Sequence, residues 1–228
     1  MNNYLFNLLQ LSDPALPVGA YAHSAGLETY IQFAVVKDLT SVKNFVTAML
    51  RDNLQFTDAA FVSLAYDAAL ENDIGKILSL DEECTAVKLP EEMRMASKRI
   101  GNRLIKIFKT LCCTNITELY LESVSDQKSA GNYCVAFGVF AQALNINKKD
   151  AIAGFYYNAA AGLITNSVKL VPLGQQDGQE LLFSLQPLLS LLTENSMQPD
   201  KSLIGLCCAG FDIRSMQHEK LYSRLYMS

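Results

Sequence analysis

Side chains suited to nucleophilic, acid–base or soft-metal chemistry are scarce in this chain: two histidines, His23 and His218, and six cysteines. His23 precedes Ser24, a base beside a hydroxyl, but adjacent residues at a helix start point in different directions and no GxSxG elbow is present. His218-Glu219 has no second histidine at the spacing of a metalloprotease helix. Neither PALPVG nor VPLGQQDG carries the glycine–lysine pair that cradles phosphate. Two imidazoles leave little for proton transfer near neutral pH. Paired carboxylates occur only in an acidic stretch that is expected to be solvated. The expectation is a protein that is not an enzyme.

Metal binding needs a separate argument. His23, His218, Cys207 and Cys208 could converge in space, and nickel or zinc accepts imidazole and thiolate. Against this, Cys112-Cys113 and Cys207-Cys208 are adjacent pairs, and Cys84 and Cys134 are single. Structural metal sites space their ligands by two or more residues. The cysteines read instead as small buried hydrophobes in a reducing compartment. A histidine beside a Pro-Gly turn also serves to bond backbone carbonyls. A nickel-binding metallochaperone using these four residues is therefore kept as an alternative, with no metal site assigned.

The totals limit the partners. Net charge is −4, so nothing electrostatic points to nucleic acid or an anionic membrane. Half the residues are apolar and only 18% are charged, against a usual share of about a quarter. That balance suits a large core or a surface covered by partners. The N-terminus MNNYLFNLLQLSD lacks a basic n-region and a cleavage site. The longest uncharged apolar run, Ala151 to Val168, is interrupted by Asn158, Thr165, Asn166 and Ser167 and reads as a buried helix rather than a membrane span. A cytoplasmic protein is expected.

The elements that must carry these residues are helical throughout. A first helix is predicted over Tyr4 to Leu11, stopped by the SDPALPVG turn. Ser24 can cap a second running to about Val36, and Thr40 or Ser41 a third with Val42, Phe45, Val46 and Met49 inward. A fourth begins at Thr57 and ends near Glu71. Residues 71–92 are strongly acidic. Pro90-Glu91-Glu92 then starts a helix carrying Arg94, Lys98, Arg99, Arg103, Lys106 and Lys109, a face that is either solvated, paired with the acidic stretch, or a binding surface for an anion. Thr117 to Val124 and Gly131 to Leu144 follow. Asn147 caps a long helix to Leu170, in which Gly162 suits close approach of another helix. Gln176 to Asn195 is predicted to kink at Pro187, and Ile213 to Leu225 to form a last helix. The fold class expected is all-α: a single compact domain, residues 1–228, of about ten helices. The segment from about 211 to 228 reads as a partner-docking tail, because Tyr222, Arg224, Tyr226 and Met227 are interface-type side chains.

Four ordered blocks resemble the UreF family of urease accessory proteins. They are LLQLSDPALPVGAYAHSAGLETYIQ at 8–32, RMASKRIGNRL at 94–104, VKLVPLGQQDGQELL at 168–182 and SMQHEKLYSRLYMS at 215–228. One departure is that Gly131-Asn132-Tyr133-Cys134 lacks the histidine common before the family's VAFG segment. The resemblance implies an all-α scaffold without chemistry of its own that helps insert nickel into apo-urease. It implies binding to UreD/UreH and the GTPase UreG, with homodimerisation in the complex. Nickel and GTP are then used by the assembly and no cofactor is bound by this chain. By residue, it implies that Tyr222, Arg224, Tyr226 and Met227 dock on UreD/UreH and that Lys169 faces UreG. His23 becomes a turn or interface residue. Ala159 and Gly162 are the guess for the dimer interface.

Overall fold

A computed structural model describes residues 3–16, 26–206, 208–222 and 224–225. Among them are twelve α-helices and no strand. The all-α expectation holds.

The centre of the molecule is α8 (Tyr133–Ala143), nine of whose eleven residues are buried. A helix apolar on every side has to be surrounded. Its closest neighbour is α4 (Asp58–Leu70), also buried on most faces. Gly138 permits the contact, since a β-carbon there would come within 2.5 Å of the Val62 carbonyl oxygen. Phe137 and Phe140 are fully buried, each contributing roughly 1.5–3 kcal/mol of apolar transfer.

Helix α6 (Glu91–Phe108) lies on the other side of α8. Gly101 faces the start of α8 so closely that a β-carbon would meet the Tyr133 amide nitrogen at 2.7 Å. That start is fixed by Asp81, within the acidic stretch expected to be solvated. In fact α5 spans Ile74–Val87, capped by Asp73, and Asp81 is completely buried. Its carboxylate accepts from the Ser129 hydroxyl and from the backbone amides of Ala130, Gly131 and Asn132, at 2.5 to 2.9 Å. An anion with four donors tolerates burial.

Several predicted bounds match. Helix α1 is Tyr4–Leu11 and α9 is Lys148–Leu170, with Asn147 accepting from the Asp150 amide as N-cap. Others are corrected. Helix α2 (Leu27–Gln32) stops short of Val36, because Ala34 turns left-handed and Val35 and Val36 both donate to the Tyr30 carbonyl. This turn sends Val36 into the core. Asp38, not Thr40 or Ser41, caps α3 (Leu39–Ala48), with Ser41 completing a capping box. In place of one kinked helix there are two, α10 (Gln175–Ser184) and α11 (Gln186–Ser196), with Pro187 in the first turn of the second, where a missing N–H costs nothing. Helix α7 (Asn115–Ser125) starts earlier than Thr117. The last helix, α12, is Ala209–His218 rather than Ile213 to Leu225.

Candidate functional site

Helix α12 meets α2 and the first turn of α6, and ionisable side chains from all three come together there. Gly26, the N-cap of α2, has φ +74, and a β-carbon on it would meet the Ser215 hydroxyl at 2.8 Å. Only glycine gives both the left-handed backbone and the room for α12. Arg214 then stacks on Phe33, its guanidinium carbon 4.4 Å from the ring centre.

His218 ends α12 with its side chain fully buried. Nε2 lies 2.9 Å from Glu28 on α2, and Nδ1 lies 2.7 Å from Glu92 on α6. A neutral imidazole offers one donor and one acceptor. With a carboxylate oxygen at each nitrogen, both bonds form when both nitrogens carry a proton or when one carboxyl does. The Arg224 guanidinium donates to the other oxygen of Glu92 at 2.5 Å. The Leu225 amide donates to Glu28 at 2.7 Å. The chain after α12 is thus tied back to two helices, 132 and 197 residues upstream. Sequence reasoning placed Glu92 as a dipole-compensating acid and gave Glu28 no role. The available signal was that Glu28 lies in the block 8–32 and Glu92 just before the block 94–104, while His218 and Arg224 lie in the block 215–228.

The described part of the terminal segment presents apolar side chains outward. Tyr222 is fully exposed and Leu225 two-thirds exposed, and Phe33, Ile213 and Met216 are exposed on the two helices beneath. Tyr226 and Met227 lie outside the described residues, as do His23 and Cys207. Cys208 is half-buried at the N-cap of α12. Of the four residues of the metallochaperone alternative, the two described ones, Cys208 and His218, lie at opposite ends of α12. His218 could offer a nitrogen to a metal only by giving up a carboxylate.

A cavity of about 260 Å³ opens beside this junction. The chain from α3 enters it through a π-helical turn, Met49–Asn53, and Met49, Asn53, Leu54 and Thr57 all border it. Such turns widen a helix and recur at functional sites. On the wall, Lys88 bonds both carboxylate oxygens of Asp58 at 2.8 Å, with one-tenth of its side chain exposed. Burial works against the ammonium, but the Asp58 carboxylate outweighs it and holds Lys88 well above the ordinary lysine range. Burial raises the Tyr133 phenol, on the same wall. Ala159 and Gly162 border this cavity too, and among the described residues no atom beyond its own stretch of helix comes within 4 Å of a β-carbon built on Gly162. The close helix approach expected there is found instead at Gly101 and Gly138. Lys169 is exposed in the last turn of α9, where a cation complements the helix dipole.

A model of the UreF family matches residues 36–186. A urease accessory protein UreF from Actinobacillus pleuropneumoniae serotype 3 is 44% identical over 221 residues, covering 97% of each chain. One from Haemophilus influenzae is 41% identical across 97% of this chain and 94% of its own. Another, from a Bacillus species (strain TB-90), is 34% identical over 99% of this chain and all of its own.

Proposed function

This chain belongs to the UreF family of urease accessory proteins, and from that premise we propose that it acts as a non-catalytic docking scaffold for nickel insertion into apo-urease. In this reading it bridges UreD/UreH and the GTPase UreG and modulates GTP hydrolysis by the latter. Nickel is cargo of the assembly, and GTP is the substrate of UreG. The chain works in the cytoplasm and is a homodimer in the complex.

The observation that carries the reading is the terminal segment itself. Arg224 and the Leu225 amide hold it on Glu92 and Glu28, while Tyr222 and Leu225 stand in solvent, and Phe33 at the end of α2 and Ile213 and Met216 on α12 are exposed. Exposed aromatic and aliphatic side chains on an anchored segment are what a partner surface buries. UreD/UreH docks here, with Tyr222, Arg224, Tyr226 and Met227 contributing. A second exposed apolar row, Leu5, Phe6 and Leu9 on α1, offers further area for partners. Lys169 faces UreG, and the α9 surface at Ala159 and Gly162 is the dimer contact. No helix is long and apolar enough to cross a membrane among the described residues.

The test is co-purification with UreD/UreH. Full-length chain is expected to retain it, and a variant lacking the last dozen residues to lose it while melting cooperatively. Equal retention by the truncated chain would remove the docking role of the segment.

A further inference from the structure

Cys84 on α5 and Cys134 on α8 meet in the core with their sulfurs 3.4 Å apart, although fifty residues separate them in the chain. Both side chains are fully buried. Burial, and then the bond to Cys84, hold the Cys134 thiol well above the ordinary cysteine range. Cys134 therefore keeps its proton and donates, and Cys84 accepts. A thiolate formed at Cys84 would keep that bond and lie near the Lys88 ammonium, which both sulfurs attract. The remaining described thiols are placed otherwise. Cys113 is exposed and donates to the Lys109 carbonyl, and Cys208 is half-buried at the N-cap of α12.

The pair is closed to bulk solvent but lies close to the cavity. Val87 and Lys88, one helical turn beyond Cys84, and Tyr133, next to Cys134, all line that space. One-tenth of the Lys88 side chain is exposed. A molecule little larger than water needs only a small local opening there to reach the sulfurs.

From this contact we propose that Cys84 and Cys134 form a reversible oxidation site, closing to an intramolecular disulfide when hydrogen peroxide enters. The Cys84 thiolate attacks one peroxide oxygen and the O–O bond breaks. Cys84 becomes a sulfenic acid, and the departing hydroxide takes the Cys84 proton and leaves as water. The Cys134 sulfur then attacks the Cys84 sulfur. The S–S bond forms, the S–O bond breaks, and the oxygen leaves with the Cys134 proton as a second water. Each sulfur loses one electron and the peroxide gains two. Closing the bond draws the sulfurs together by about 1.4 Å, a small adjustment between two packed helices. It keeps both thiols from the irreversible sulfinic and sulfonic states, and reduction by a dithiol restores them.

The experiment treats the folded full-length chain with excess hydrogen peroxide, quenches it with an alkylating agent and maps its peptides without reductant. Two variants are run beside wild type: Cys84→Ala, and C112S/C113S/C207S/C208S, which keeps only the buried pair. Expected in wild type and in the four-serine variant is loss of alkylation at both Cys84 and Cys134. A single linked peptide joining the two should appear, and dithiothreitol should undo it. Cys84→Ala should give no linked peptide containing Cys134. Alkylated, unlinked Cys84 and Cys134 in wild type whose Cys113 has been oxidised would overturn the proposal. Linkage of either residue to other cysteines instead, the pattern of an unfolded chain, would overturn it too. So would sulfinic or sulfonic acid at Cys84 without the link. The wild-type map decides by itself, whether or not the variants fold.

Discussion

Nδ1 of His218 lies 2.7 Å from a carboxylate oxygen of Glu92, although 126 residues separate them in the chain. Glu28 closes the other side of the ring at 2.9 Å. The last helix is thereby fixed to the second and the sixth, and the segment that follows inherits a defined starting point.

Replacing His218 by alanine leaves Glu28 and Glu92 facing each other without the ring between them. Breaking a buried charged network by removing one partner costs about 3–5 kcal/mol. Urea denaturation of His218→Ala should show a loss of that size. A change within about 0.5 kcal/mol, the usual range of a surface substitution, would contradict the buried geometry.

Three helical glycines should separate by their surroundings. At Gly101 and Gly138 a β-carbon would strike backbone atoms of a neighbouring segment. Alanine at either site should destabilise by roughly 1–3 kcal/mol through overpacking. At Gly162 there is open space, so alanine should instead add up to about 1 kcal/mol from helix propensity. Thermal melting of the three variants checks the order, and a destabilised Gly162→Ala would mean that a neighbour lies closer than described.

The Lys88–Asp58 pair sets a pH signature. Lys88 is held above its ordinary value, so its contribution is fully present below the unfolded lysine pKa of about 10.4 and is lost only as pH rises through the folded value. The stability gap between wild type and Lys88→Met, about 3–5 kcal/mol for an orphaned buried carboxylate, should stay constant from about pH 7 to 9. Adding Asp58→Leu should recover most of it. A gap that closes across that range would show that Asp58 does not hold the ammonium charged.

How far the sequence could be read depended on whether the signal was local. The cap at Asn147 and the end at Leu170 bound α9 to the residue, and Pro90-Glu91-Glu92 marked the start of α6. Helix α5 was missed because its acids were weighed as solvent-facing charge. Asp81 is buried only because four donors arrive from residues 129–132, about fifty positions away. The left-handed turn at Ala34 is driven by Val36 reaching the core, a tertiary demand that helical periodicity does not carry. In the site, Arg224 and Tyr222 were visible as interface-type residues. The carboxylates that anchor the segment were not, since pairing across 126 and 190 residues leaves no local pattern.

The central claim is that this chain is the bridge of a maturation assembly. The most direct measurement is the size and composition of the complex formed when UreD/UreH and UreG are mixed with and without the chain, each with and without a GTP analogue. A single assembly containing all three proteins, absent when the chain is omitted, is the result predicted. Equal association of UreG with UreD/UreH in its absence would contradict it.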